Sequence, residues 1–137
     1  SLLGTDENNL QITDTKAEFY TRIGLIAAAN EAEVVYNLNM TENERNQGGI
    51  ELSDGVGSMN VKNAFETARV MFENGLKTNP DRVNTPQVIY FITASNPTVS
   101  EIPIAINEWP GIIIVNDMIN DGSERIGLKK LATDGLY

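Results

Sequence analysis

The 137-residue chain contains no histidine and no cysteine. Their absence excludes Ser-His-Asp and Cys-His nucleophile systems, zinc held by imidazole or thiolate, and disulfides within the chain. Basic residues are also scarce: ten Lys and Arg stand against nineteen Asp and Glu, for a net charge of −9. The basic residues are scattered, with only Lys129 and Lys130 adjacent. A nucleic-acid footprint needs clustered basic side chains, so nucleic acids and anionic membranes are excluded as main partners. No apolar run approaches the ~18 residues of a membrane-spanning helix, and no membrane insertion is expected. The opening Ser1-Leu2-Leu3 is too short for a signal peptide and lacks a basic leader. Phosphate-binding signatures are missing too, with no Gly-Lys-Ser/Thr loop and no G-x-S-x-G elbow. Gly55, Gly57 and Asn60 graze a dinucleotide fingerprint, but no strand precedes them and the third glycine is lacking.

What is present is an ordinary globular composition, 41% apolar and 21% charged. The length suits about one domain that buries roughly two thirds of its unfolded surface. The central stretch is Q-V-I-Y-F-I-T-A-S from Gln87 to Ser95. Its five consecutive apolar residues, Val88 to Ile92, show no alternation and are closed by the turn dipeptide Asn96-Pro97. That pattern predicts a strand buried on both faces of a parallel sheet. Ligands of open α/β sheets bind outside the carboxyl ends of such strands, which directs attention to Thr93, Ala94 and Ser95.

Around this strand the other elements fall in order. Residues 21–29, T-R-I-G-L-I-A-A-A, read as another apolar strand. Ala32, Val34, Tyr36 and Leu38 then alternate with polar or outward positions, the period of a half-buried edge strand. Only Asn30 and Glu31 separate the two, so the pair is expected to be an antiparallel hairpin. A helix is clearest after Asn60, a good N-cap. Val61, Ala64, Phe65, Ala68 and Phe72 recur at i, i+3, i+4, i+7 and i+11, and Gly75 or Asn79-Pro80 should end it. Residues 98–109 suggest a shorter helix, and G-I-I-I-V at 111–115 a further strand. Ser123 is expected to cap a last helix over 124–132, and Gly135-Leu136-Tyr137 to enter one more strand. Strands alternating with helices predict an α/β sheet whose later strands are parallel.

In this order R-I-G-L-I-A-A-A-N, N-V-K-N-A-F-E-T-A-R-V-M-F, V-I-Y-F-I-T-A-S and G-I-I-I-V-N resemble the von Willebrand factor type A (vWA) domain. The match runs from Thr21 to Thr133 and is closest to divergent, nematode-like extracellular members found beside C-type lectin-like or CUB modules. The resemblance implies that residues 1–137 form one partial vWA-like domain. Its fold would be a Rossmann-like, mostly parallel sheet with one antiparallel edge strand and helices on both faces. It also implies that the first, central strand lies before Ser1 and that a final strand and helix lie beyond Tyr137.

The family's metal-ion-dependent adhesion site takes most of its Mg²⁺ ligands from a motif on that first strand. Of the remaining ligand positions, the one in the loop before the main helix falls at Ser58 or Met59, and the acidic one after the fourth strand falls on Ala94. Ser58 offers a hydroxyl; Ala94 offers no ligand atom. The resemblance therefore implies a degenerate metal site with Ser58 as its one contributor here, and no bound cofactor. Asp54 and Asp117 read as solvated loop carboxylates. Asn39-Met40-Thr41 is an N-glycosylation sequon, usable if the chain is secreted. The expected function is a non-catalytic adhesion or protein-binding module of a secreted or cell-surface protein, with a protein ligand met by the loops around Ser58, Ser95 and 116–121. A structural spacer and a fragment of a doubly wound α/β enzyme are the alternatives.

Overall fold

A computed structural model of the chain describes residues 21–38, 59–95, 110–119 and 121–137. The expected helix at 98–109, the sequon at Asn39, Asp54 and Ser58 lie outside the described residues. Within them the chain is mixed α/β. Strands β1 (Leu25–Ala28) and β2 (Ala32–Tyr36) precede helix α1 (Val61–Thr78) and a single 3₁₀ turn, Pro80–Arg82. Strands β3 (Val88–Thr93) and β4 (Ile112–Asp117) follow, then helix α2 (Ile126–Leu131).

The hairpin forms as its alternation and short connection dictate, with β1 and β2 antiparallel. Its register slips between Leu25, opposite Tyr36, and Ile26, opposite Val34. Val35 is thus an extra residue, a bulge that reverses the strand's in-and-out phase. Val34, placed inward by the sequence pattern, is exposed, and Val35 is half-buried. The regular part of β1 is also shorter than the apolar run 21–29. Just before it, the chain presses so close to α1 that a Cβ at Gly24 would collide with Met71 Sδ.

Asn60 caps α1 as its identity predicts. Its side-chain oxygen accepts from the Asn63 backbone N–H at 3.0 Å, satisfying one of the donors a helix start leaves open. Asn63 in turn accepts from the Ala32 backbone N–H at 2.6 Å, which ties the helix start to the hairpin. Gly75 does not end the helix; it runs on to Thr78, and the Asn79 N–H returns to the Gly75 carbonyl at 3.0 Å. Replacing Asn60 by alanine should cost about 1 kcal/mol, read as a lowered urea midpoint with an unchanged slope. Asn60→Ser, which retains a capping oxygen, should restore most of it.

Strands β3 and β4 are parallel and in register from Val88 opposite Ile112 to Thr93 opposite Asp117. Phe91 and Thr93 of β3 and Ile113 and Val115 of β4 point to one face and are buried. Val61 and Phe65 of α1 and Leu128 and Leu131 of α2 pack there to form the core. Phe65 meets Phe91 edge-on, with ring centroids 5.7 Å apart. The sequence-based expectation of a strand buried on both faces is not met among the described residues. Tyr90 and Ile92, on the other face, are 55% and 57% exposed. Both described helices sit on the Phe91 side, so an unbroken apolar run here carries alternating burial. β1–β2 and β3–β4 are separate two-stranded sheets, with α1 in contact with both.

The outer edge of β4 is lined by the chain's last residues. Thr133 N–H donates to the Ile113 carbonyl and Val115 N–H to the Leu136 carbonyl, each at 2.9 Å. The segment expected to enter another strand therefore runs parallel beside β4, without a regular ladder.

Candidate functional site

The carboxyl ends of β3 and β4 gather the residues that the sequence points to. Thr93 closes β3 with its hydroxyl turned inward, accepting from the Ser95 N–H at 3.0 Å and lying 3.8 Å from Met59 Sδ. Met59 packs against the core, so the loop before α1 does reach this end of the sheet. Ala94 and Ser95 are exposed. The main chain continues the sheet for one more bond, from Met118 N–H to the Thr93 carbonyl at 2.8 Å.

The surprise at this end is Asp117. Composition and position suggest a solvated loop carboxylate, but it is the last residue of β4 and its side chain is only 10% exposed. One carboxylate oxygen accepts from the Ile119 backbone N–H at 3.0 Å. The other accepts from Arg125 Nη1 at 2.6 Å and from the Tyr137 hydroxyl at 3.1 Å. The Arg125 side chain is 9% exposed. Its Nη1 also reaches the Ile119 carbonyl at 3.3 Å, and its Nη2 reaches Asp121 at 3.0 Å. The Asp121 carboxylate is fixed in turn by the Ser123 hydroxyl at 2.6 Å and the Ser123 N–H at 2.9 Å. Ser123 is thereby committed to the turn. The last helix starts later than expected, at Ile126, and its N-cap position, Arg125, makes no side-chain cap.

The electrostatics follow from these contacts. The Ile119 N–H, and then Arg125 and Tyr137, hold the Asp117 carboxyl below its ordinary value of 3.8, against the opposing pull of partial burial. Ser123, first through its hydroxyl and then through its N–H, does the same for Asp121, with Arg125 adding to it. Asp117, first through its hydrogen bond, raises Arg125. At neutral pH Asp117 and Asp121 are ionised and Arg125 is protonated, and these hydrogen bonds hold the charges in place. A carboxylate this fully engaged is a poor base and a poor metal ligand, since either role would strip Arg125 of its buried partner. Among the described residues, no group of three acidic side chains is arranged to hold a metal ion.

A second feature lies away from this end. A cavity of about 70 Å³ is lined by Arg22, Leu38, Phe72, Leu76, Arg82 and Gln87. It is far smaller than the roughly 300–1,000 Å³ of a small-molecule site.

Thr93, Ala94 and Ser95, singled out from the sequence, stand at the carboxyl end of β3, but the sequence does not present Asp117, Asp121, Arg125 and Tyr137 as one unit. The signal available was the spacing of Asp117, Asp121 and Arg125 at intervals of four. Nothing in the sequence brings Tyr137 to them.

No family model matches the chain, and neither the curated proteins nor the solved structures contain a match.

Proposed function

We propose that this chain is a non-catalytic protein-interaction module of a secreted or cell-surface protein, with a vWA-like fold and a degenerate metal site. The observation that carries this reading is the chemistry at the carboxyl ends of β3 and β4. The residue after β3 is Ala94, and the acidic residue that ends β4 is spent on Arg125 and Tyr137. Among the described residues, those that face solvent there include Ser95, Met118 and Ile119.

The finer fold is part of the proposal. β1–β2 and β3–β4 would belong to one Rossmann-like sheet, with a further strand between β1 and β3. Two observations support it. β1 and β3 do not pair with each other, and α1 touches both pairs, through Asn63 on the hairpin and Phe65 on β3.

The metal part is tested by titrating Mg²⁺ or Mn²⁺ into the folded protein by calorimetry. No heat is expected up to about 10 mM metal, because Ala94 stands where an acidic ligand is expected and offers none of the oxygen atoms these ions prefer. Sub-millimolar binding would instead make metal-dependent adhesion the better reading.

A further inference from the structure

We propose that Met118 and Ile119 form a rigid apolar knob that seats in an apolar socket bordered by Lys or Arg on a partner protein. The inference rests on the reading of the chain as an interaction module and names the part of its surface that carries the contact.

Three observations converge on these two residues. The first is exposure: Met118 is 62% and Ile119 36% exposed, at the carboxyl end of a parallel pair, where α/β sheets meet their ligands. The second is rigidity. Exposed apolar side chains on loops are commonly carried by mobile backbone, but this backbone is held on three sides. Met118 N–H is bound to β3, Ile119 N–H to Asp117, and the Ile119 carbonyl to Arg125. The last two anchors belong to an ion pair that is itself about nine-tenths covered. The pair therefore serves to hold a contact surface in place, and a preordered surface loses less freedom on binding. Methionine adds a side chain that adapts to an irregular pocket.

The third observation is charge. In the span 117–125, Asp117 and Asp121 share the one guanidinium of Arg125, so that this cluster keeps a single net negative charge, and its exposed member is Asp121, 52% exposed. Asp121 stays exposed beside the knob, while Glu124 is paired to Lys129 at 2.7 Å. The whole chain carries −9. A partner that approaches is favoured when its socket is ringed by positive charge. The open apolar face around Tyr90 and Ile92 is the competing surface, and it has no acidic side chain among its described residues.

The test uses a phage-displayed library of random 12-residue peptides, panned on the folded chain. Binders are expected to combine Lys or Arg with aliphatic or aromatic residues and to weaken as salt rises from about 50 to 500 mM. The double variant Met118→Ser/Ile119→Ser should lose about tenfold or more in affinity with unchanged thermal unfolding. Tyr90→Ser/Ile92→Ser should leave binding intact, provided that variant still unfolds cooperatively. Peptides lost on the Tyr90/Ile92 variant and kept on the Met118/Ile119 variant would overturn the knob and leave the module reading standing. A folded chain that selects no peptide at all would overturn both.

Discussion

Truncating Phe65 to alanine is expected to destabilise the protein by about 3–5 kcal/mol, the largest effect of any single side chain in the described core. The ring is buried, packs edge-on against Phe91 at 5.7 Å, and joins α1 to the sheet in one cluster with Val61, Ile113, Val115, Leu128 and Leu131. Alanine removes the transfer free energy of the ring and leaves a cavity that neighbours on three elements cannot close together. The edge-on aromatic pair, about 0.5–1.5 kcal/mol beyond area burial, is lost as well. A domain of this kind has only about 5–15 kcal/mol to lose. Urea unfolding should show a much lower midpoint with a similar slope, and in the less stable part of that range the variant would be largely unfolded at 37 °C. Lys62→Ala, on the exposed side of the same helix, should stay within about 0.5 kcal/mol of the parent. If Phe65→Ala and Lys62→Ala unfold alike, α1 does not pack as described.

The second large effect is expected at Arg125. Alanine there leaves Asp117 covered and without its cationic partner, and such orphaned charges cost more than the intact pair contributes. It also frees the Ile119 carbonyl and one side of Asp121. The loss should exceed that of Lys129→Ala, whose solvent-exposed bridge to Glu124 is of a kind that contributes little. Arg125→Ala and Asp117→Asn should not add in a double variant, because each already removes the same contact. Hydrogen exchange supplies the local readout. The amides of Ile119 and Val115 should lose protection in Arg125→Ala, since one is held by Asp117 and the other by the tail that Tyr137 helps to anchor. Additive losses with unchanged exchange would mean that the network does not hold the loop.

The same network sets an acid limb. Asp117 and Asp121 both have folded values below the ordinary 3.8. For a depressed carboxyl the unfolded chain takes up protons first as pH falls. The stabilisation is therefore fully present above 3.8 and is lost as pH drops through the folded values below it. In Arg125→Ala the folded values move back toward 3.8, so the stability of that variant should fall less steeply in this range. Thermal unfolding followed from pH 5 to pH 2 compares the two slopes directly.

Sequence alone determined the local pieces of this protein. Two polar residues between apolar runs required a tight hairpin. Asn60 followed by apolar residues at helical spacing required a capped amphipathic helix. Apolar stretches separated by long connections required parallel strands. Each of these depends on interactions within a few residues, so the chain states them directly. Tertiary structure decided the rest. The slip at Val35 changed the pairing beyond Val34, because register is a property of two strands and not of one. The unbroken run Val88–Ile92 did not say which of its faces a helix would choose; the two described helices took the Phe91 face, and Tyr90 and Ile92 are exposed. Met71, rather than Phe72 alone, went under the hairpin because Gly24 made room for it. Above all, Asp117 became a buried ion-pair partner only when the turn after β4 returned Arg125 to it and the last residue laid a hydroxyl beside it. Electrostatic partners are set by distance in space and by exclusion of water, and the order of residues along the chain records neither.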